Sequence, residues 1–524
     1  MIDFDVIVVG SGMNSLVCAA MLAKSGATVA VLERNDRLGG CIRTEELFPG
    51  YLHDVLSSWY PLFVGGPAYA ELADELHSEG LEFANTESPT AVLTPQGESL
   101  VLSTDSPSNK ERMEALSKGD GDSFVQTLDS FFSNDANLTF GLLGSDLRQR
   151  ATVNLLAKEI RTRKLTGTIE FAGSALESCR NWLEREFDSE VLRALIAPWV
   201  LHAGLGPDDA HSGLMGKVII GSVATGGLPV VVGGSHRIVE AFSAVISNHG
   251  GTTMIGARVD KVVTARGRAR GVVTADGRHF NADRAIVCNL TPQQLYGELL
   301  SKNDVPDAIG QHAEQFRFGR AAMQIHYALE RPPTWADDDL AQTAMIHLTA
   351  GLDGVSRAVN EATRGLLPAE ATIVVGQPTV VDPTRAPEGA AILWIQLQEL
   401  PRNIRGDAAG TIDVGDGTWT TEIAERYADR IEERLVRHLP DLRSIIVGRK
   451  VFSPQHLQAL NPNLVGGDPY SGACTIDQSL FWRPSATTKN HTTPVKSLYH
   501  IGASTHPGPG LGGASGYLVA KALS

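Results

Sequence analysis

The apolar run Asp5 to Val9 (DVIVV) passes directly into Gly10-Ser-Gly12-Met-Asn14-Ser15, and this junction limits the possible folds more than any other feature of the chain. Five successive apolar or strand-forming residues predict a short strand buried on both faces. A helical stretch, Leu16 to Lys24, follows, and Thr28 to Leu32 (TVAVL) predicts a second buried strand that ends at Glu33. Strand, glycine turn, helix, strand and terminal acid together form a βαβ unit suited to a dinucleotide. Gly10 permits the tight turn, Gly12 lets backbone approach a pyrophosphate, and the following helix N-terminus offers N–H groups and a positive dipole end to that anion. Asn14 and Ser15 open this helix, with Ser15 standing where a third glycine is usual. Glu33, 23 residues after Gly10, is placed to accept hydrogen bonds from a ribose diol, a role that disfavours a 2′-phosphate.

A second glycine pair separates FAD from NAD as the expected cofactor. After Glu33 and Arg34 comes Arg37-Leu-Gly39-Gly40-Cys-Ile-Arg43. Gly39 and Gly40 would let the chain pass close to the cofactor, and Arg43 would reach phosphate or the flavin edge. At the far end, Ser497 to Ile501 predicts a strand, followed by Gly502-Ala-Ser-Thr-His506-Pro-Gly508-Pro-Gly510-Leu511-Gly512-Gly513 and a closing helix, Tyr517 to Leu523. The eight residues after Gly516 are too few for another βαβ unit. The expectation is therefore that Gly512 and Gly513 turn their N–H groups toward an electron-rich part of the same cofactor.

Between these ends, Gly226 to Gly234 precedes a predicted helix, Ser235 to Asn248. Strands are predicted at Thr252 to Ile255, Val259 to Val263, Gly271 to Thr274 and Ala285 to Asn289, with an Asp276-Gly277 turn. The fold class that follows is α/β: a discontinuous Rossmann-type FAD-binding domain (1–65, 226–299 and 496–524) with a mixed α+β substrate domain (66–225 and 300–495). In the first, Val259 would lend its backbone to the adenine.

The segments DVIVVGSGMNSL, VAVLERNDRLGG, GGLPVVVGGSHRIVEAF, DQSLFWRP and HIGASTHPGPGLGGASG span the whole chain. Together they resemble the phytoene desaturase and carotenoid isomerase-like flavoproteins of the broader amine oxidase superfamily. The pattern is most similar to the branch described as pyridine nucleotide-disulfide oxidoreductase domain-containing. The resemblance implies an FAD-dependent oxidoreductase acting on C–H or C=C bonds of a hydrophobic, isoprenoid or polyene substrate. Two other readings stay open: a flavin-assisted, non-redox double-bond isomerase, and a lipid- or prenyl-binding protein that keeps the fold. Candidate catalytic or orienting groups are Trp59 and Tyr60, after a helix-like HDVLSS run, and His506 in the terminal loop. His202 reads as an interior histidine, and Arg483 as a pocket-edge or ion-paired residue.

Charge and cysteine content narrow the partners. Sixty acids against 45 bases give a net charge of −15, which disfavours nucleic acid as a partner. Five scattered cysteines without a CxxC pair predict reduced thiols, no metal site and a cytoplasmic setting. One stretch opposes the overall charge: residues 147–164 hold Arg148, Arg150, Lys158, Arg161, Arg163 and Lys164 against Glu159 alone. With Val153, Leu155, Leu156 and Ile160 at helical spacing, it predicts a basic amphipathic helix, suited either to a solvated face or to peripheral contact with a membrane surface.

Overall fold

The computed structural model describes residues 2–524; Met1, the first residue of the expected nucleotide domain, lies outside them. In chain order come β1 (Ile2–Val9), α1 (Met13–Lys24), β2 (Val29–Leu32), the hairpin β3 (Thr44–Phe48) and β4 (Tyr51–Asp54), then β5 (Thr90–Leu93) and β6 (Ser99–Leu102). A helical region includes α2 (Arg150–Leu176) and α3 (Ser212–Gly226), and α4 (His236–Asn248) follows. Four strands succeed it: β7 (Thr252–Met254), β8 (Val259–Ala265), β9 (Arg268–Thr274) and β10 (His279–Asn289). The remaining strands used below are β11 (Ala321–Leu329), β12 (Met345–Leu348), β13 (Ile373–Gly376), β14 (Ala391–Leu400), β15 (Ile446–Phe452) and β16 (Leu498–Ile501), before the closing helix α5 (Ala514–Leu523).

These strands form two seven-stranded sheets. The first has the order β8-β9-β10-β1-β2-β7, with β16 beside β10, so it draws on residues 2–32, 252–289 and 498–501. β1 lies between parallel neighbours β10 and β2, with Val8 opposite Val287 on one side and Val31 on the other. Two parallel neighbours and two covered faces explain why Val6 to Val9 are almost wholly buried. α1 carries no charge before Lys24 and buries every residue from Ser15 to Ala23, because α4 and α5 pack around it over the sheet.

The second sheet runs β15-β11-β14-β13-β12-β5-β6 and is largely antiparallel. Its two faces differ in kind. Ile325, Tyr327, Ile395 and Leu397 pack into an apolar core beneath the helix Thr421–Leu435. The opposite face meets the helical region through Val92, Val374 and Trp394. A short strand pair crosses the expected domain boundary, with Phe83–Ala84 antiparallel to Val230–Val231.

A buried ion cluster fastens the two halves. Arg385 is fully buried and pairs with Asp54 at the end of β4 and with Asp382 at 3.0 Å, and it also donates to the Val231 carbonyl at 2.7 Å. Asp54 accepts further hydrogen bonds from Thr44 Oγ1 (2.6 Å), Ser58 Oγ (2.8 Å) and the Ser235 N–H (3.0 Å). Despite burial, these partners hold the Asp54 carboxyl below its usual range. HDVLSS is accordingly not helical: His53 and Asp54 end the hairpin and residues 55–58 are irregular, because the demands of Asp54 override the local helical pattern.

Candidate functional site

One cavity of about 1200 Å³ runs from the glycine turn after β1 to the helix-covered face of the second sheet. At its nucleotide end the structure brings together Gly10, Gly12, Asn14, Glu33, Arg34, Gly40 and Val259 with Leu511, Gly512 and Gly513 from the other end of the chain. Gly10 has φ +87, a conformation that disfavours side chains. A Cβ on Gly40 would stand 3.1 Å from the Gly12 Cα, so two backbones meet where a cofactor must pass.

Glu33 is buried at the end of β2. Its Oε2 accepts the Ser11 N–H at 3.0 Å and the Ser11 hydroxyl at 2.6 Å, and its Oε1 accepts the Asn35 N–H at 2.8 Å. These bonds fix the carboxylate without a cation, leaving an acceptor suited to a neutral diol. The first helix begins at Gly12 with no side-chain cap, so its N-terminal end is not blocked by the protein's own side chains. At the chain's other end, the Gly512 and Gly513 N–H groups donate to no acceptor among the described residues. A buried acid, a side-chain-free helix N-terminus and a second free N–H pair match the ribose, the pyrophosphate and the ring of FAD in that order.

Several expected residues have other duties. Asn14 lines the cavity, but its Oδ1 accepts from the Ser515 N–H (3.1 Å), the Ser515 hydroxyl (2.8 Å) and the Gly516 N–H (3.3 Å), so it caps α5 and binds the two ends of the chain together. Ser15 is fully buried behind the turn, accepting from Asn289 Nδ2 at 3.0 Å, and does not line the cavity. Gly39 and Gly502 also lie off the cavity wall. Gly39 is required by internal packing, since a Cβ there would meet the Ile42 carbonyl at 2.4 Å, and one on Gly502 would meet Asn289 Oδ1 at 2.1 Å. Arg43 turns away and pairs with Glu45.

The three catalytic candidates separate in the same way. Trp59 lines the cavity. Tyr60 does not: it is buried, its hydroxyl donates to the Ser57 carbonyl at 3.1 Å, and burial pushes its pKa upward. His506 is likewise absent from the wall. Its Nε2 lies 3.0 Å from both the Leu142 and Ser145 carbonyls, so it staples the terminal loop to the helical region, and burial lowers its pKa to about 4. Neither side chain reaches the space where chemistry would occur.

Other residues build the wall instead. Arg483 lines it with no acid for a partner, donating to the carbonyls of Ala503 (2.8 Å), Ala473 (2.9 Å) and Tyr470 (3.0 Å) and thereby tying the terminal loop to 470–478. Cys41 lines the nucleotide end, where burial raises its thiol pKa to about 11 and makes it a poor nucleophile. At the other end, Met215, Val218, Ile219 and Val223 of α3 face Trp394, Gln396, Gln324 and His202. The alternation of β14, AILWIQLQEL, carries a legible signal for this wall: Trp394, Gln396 and Gln398 fall on one face and Leu393, Ile395 and Leu397 on the other.

The family model described as flavin containing amine oxidoreductase matches residues 16–523. A rat protein, pyridine nucleotide-disulfide oxidoreductase domain-containing protein 2 (Rattus norvegicus), is 28% identical over 98% of this chain and 92% of its own length. A limonene dehydrogenase polypeptide of Castellaniella defragrans is 24% identical over 99% and 94%. A phytoene desaturase of Fusarium fujikuroi is 25% identical over 97% and 86%. Among solved structures, an oxidoreductase from Methanosarcina mazei superposes with a TM-score of 0.63 at 18% identity, covering 99% of this chain and all of the other.

Proposed function

The chain belongs to the flavin-containing amine oxidoreductase family and is an FAD-dependent oxidoreductase, and from that premise we propose that it is a desaturase or dehydrogenase for a lipophilic, isoprenoid or polyene molecule. The observation that carries this reading is the continuity of the cavity, which joins a dinucleotide cradle to an apolar chamber without an intervening wall. Relatives named as limonene dehydrogenase and phytoene desaturase support the same direction. FAD, when bound, supplies the two-electron acceptor for C–H oxidation. The chain's own part is to bind, orient and keep dry. Glu33 accepts ribose hydroxyls, the α1 N-terminus attracts the pyrophosphate, and α3 with Trp59 and Trp394 flanks the substrate. The carboxylates on the cavity wall are Glu33, Asp260 and Glu298, all from the nucleotide-binding segments. The chamber therefore offers alignment rather than a charged base, which suits a reaction whose difficult step belongs to the cofactor.

Substrate entry is proposed from a membrane surface. Phe140, Leu143 and Leu62 line the cavity, and Phe140 and Leu62 are also exposed, marking an apolar mouth. Beside it, α2 exposes Val153 (60%), Ile160 (50%), Leu165 (73%) and Ile169 (62%). Arg163 is consumed by Asp135 and Glu159, and Arg148 by the Ala486 carbonyl, but Arg150, Lys158, Arg161 and Lys164 have no carboxylate partner among the described residues. Exposed apolar groups interleaved with free cations suit an anionic lipid surface. No helix among the described residues is long and apolar enough to cross a membrane. The reading is tested by anaerobic addition of phytoene in anionic vesicles to the purified holoprotein. Bleaching of the flavin absorption is expected; a flavin that stays fully oxidised with every polyene tried removes the desaturase assignment.

A further inference from the structure

The apolar chamber contains one built polar spot. Across the second sheet, Gln324 on β11, Gln396 on β14, Val374 on β13 and His347 on β12 form a single transverse row, because the register pairs Gln324 with Gln396, Gln396 with Val374 and Val374 with His347. All four therefore share the face that meets the chamber, with Gln396 and His347 two strand spacings, about 10 Å, apart. His202 sits over this row and lines the chamber, its Nε2 3.0 Å from the Nε2 of His347. Trp199 holds both rings, with centroids at 4.7 Å from His202 and 4.9 Å from His347.

The protons of this pair can be assigned. His347 is fully buried and its Nδ1 has no hydrogen-bond partner. If the proton of His347 sat on Nδ1, a buried N–H would be orphaned, whereas an unfilled lone pair at that nitrogen costs less. The proton therefore sits on His347 Nε2 and is donated to His202 Nε2. Burial keeps both rings neutral at neutral pH, so the single proton of His202 resides on Nδ1. That nitrogen has no partner among the described residues, and neither has the amide of Gln396.

Resting on the oxidoreductase reading above, we propose that the chamber takes an oxygen-bearing lipophile, an alcohol, ketone or aldehyde, whose oxygen accepts the His202 Nδ1–H and lies toward the Gln396 amide. A bare hydrocarbon would leave both polar groups dry and unpaired, a cost that the oxygen removes. His347 acts as a positioning residue, setting the tautomer that makes His202 a donor.

The test uses the FAD-loaded full chain and two probes of equal carbon count, farnesol and farnesene, with binding followed by perturbation of the flavin absorption. Farnesol should bind about tenfold more tightly, as one additional satisfied hydrogen bond implies. His202→Leu should reduce that preference to below about twofold, while His202→Asn, which keeps an N–H near the Nδ1 position, should restore most of it. Equal affinities in the wild type, no binding of either probe, or a preference that survives His202→Leu overturns the proposal. A measurement on the unmodified protein guards against variants that fail to fold: ¹⁵N-histidine spectra should show His202 as the Nδ1–H tautomer, and an Nε2–H tautomer overturns the assignment. Because these readouts need no turnover, they fail separately from the bleaching experiment that tests the desaturase reading.

Discussion

The two ends of the cavity are built on opposite plans. At the nucleotide end, backbone does the recognising: glycine turns, two helix N-termini and one acid, Glu33, held by Ser11 and Asn35. At the chamber end, side chains do it: α3 supplies an apolar wall and the second sheet a row of glutamine and histidine. Backbone recognition depends on a few glycines at short spacing and tolerates little change. A side-chain wall can be rewritten residue by residue while the sheet beneath it stays intact. A flavin shared across the family, beside relatives named for substrates as different as limonene and phytoene, follows that division.

The comparison breaks most completely at Gly12. Gly12→Asp places a carboxylate where the pyrophosphate must lie, and its Cβ would already stand 3.2 Å from Asn289 Nδ2. Near-total loss of bound flavin is expected, read as the ratio of visible to 280 nm absorption, and a fully flavinated variant would falsify the placement. Next in size is the joint between the halves. Arg385→Met leaves Asp54 and Asp382 buried without their cation, and a loss of about 3–5 kcal/mol is expected in urea denaturation. An unchanged midpoint would mean that the cluster does not hold the halves together.

Glu33→Gln keeps shape but removes charge. Charge-assisted bonds to ribose are worth about 1.5–3 kcal/mol, so FAD affinity should fall by one to two orders of magnitude in equilibrium dialysis, and a change under twofold would move the ribose elsewhere. Smaller still is the effect of pH. His53, His202, His500 and His506 have pKa values lowered to about 4, and His491 to about 3, by burial. A depressed histidine pKa means that the unfolded chain binds protons which the folded chain refuses. Stability is therefore full above about pH 6.5 and falls as pH drops toward 4. Glu399, raised to about 7, and Asp146, raised to about 6, work in the opposite direction, but they are fewer. The thermal midpoint should decline from pH 7 to pH 5; a rise would show that the buried carboxyls outweigh the histidines. The smallest change is expected from His506→Phe, a loss of about 1–2 kcal/mol in stability with little effect on the rate of flavin reduction. A large drop in that rate at full stability would restore His506 to the chemistry.

What can be read from the sequence follows the same division. Strand, turn, helix and acid lie within some thirty residues, so local spacing alone locates Gly10, Gly12 and Glu33. The second strand of the unit starts at Val29, and the longer strand at 279–289 exceeds the expected Ala285 to Asn289, because antiparallel pairing with β9 extends it. Spacing also assigns Ser15, Gly39 and Arg43 to the cofactor, since they neighbour residues that do line the cavity, yet neighbours on a turn or strand point different ways. Asn14 illustrates the larger difficulty: its partner Ser515 is 501 residues away. His506 reads as catalytic in an isolated loop, but its partners, the carbonyls of Leu142 and Ser145, come from a helical region with no motif. The His202–His347 pair spans 145 residues and carries no local signature at all. Only the period-two pattern of β14 marks the polar row in the sequence itself.

The account's central claim is that three remote stretches of chain close on a single cofactor. The most direct test is the molar ratio of FAD to polypeptide in the purified protein, from the absorption spectrum and the released flavin. One FAD per chain is predicted. A ratio near two would make the terminal glycine loop a separate site, and a protein that neither retains nor takes up flavin would contradict the shared cradle outright.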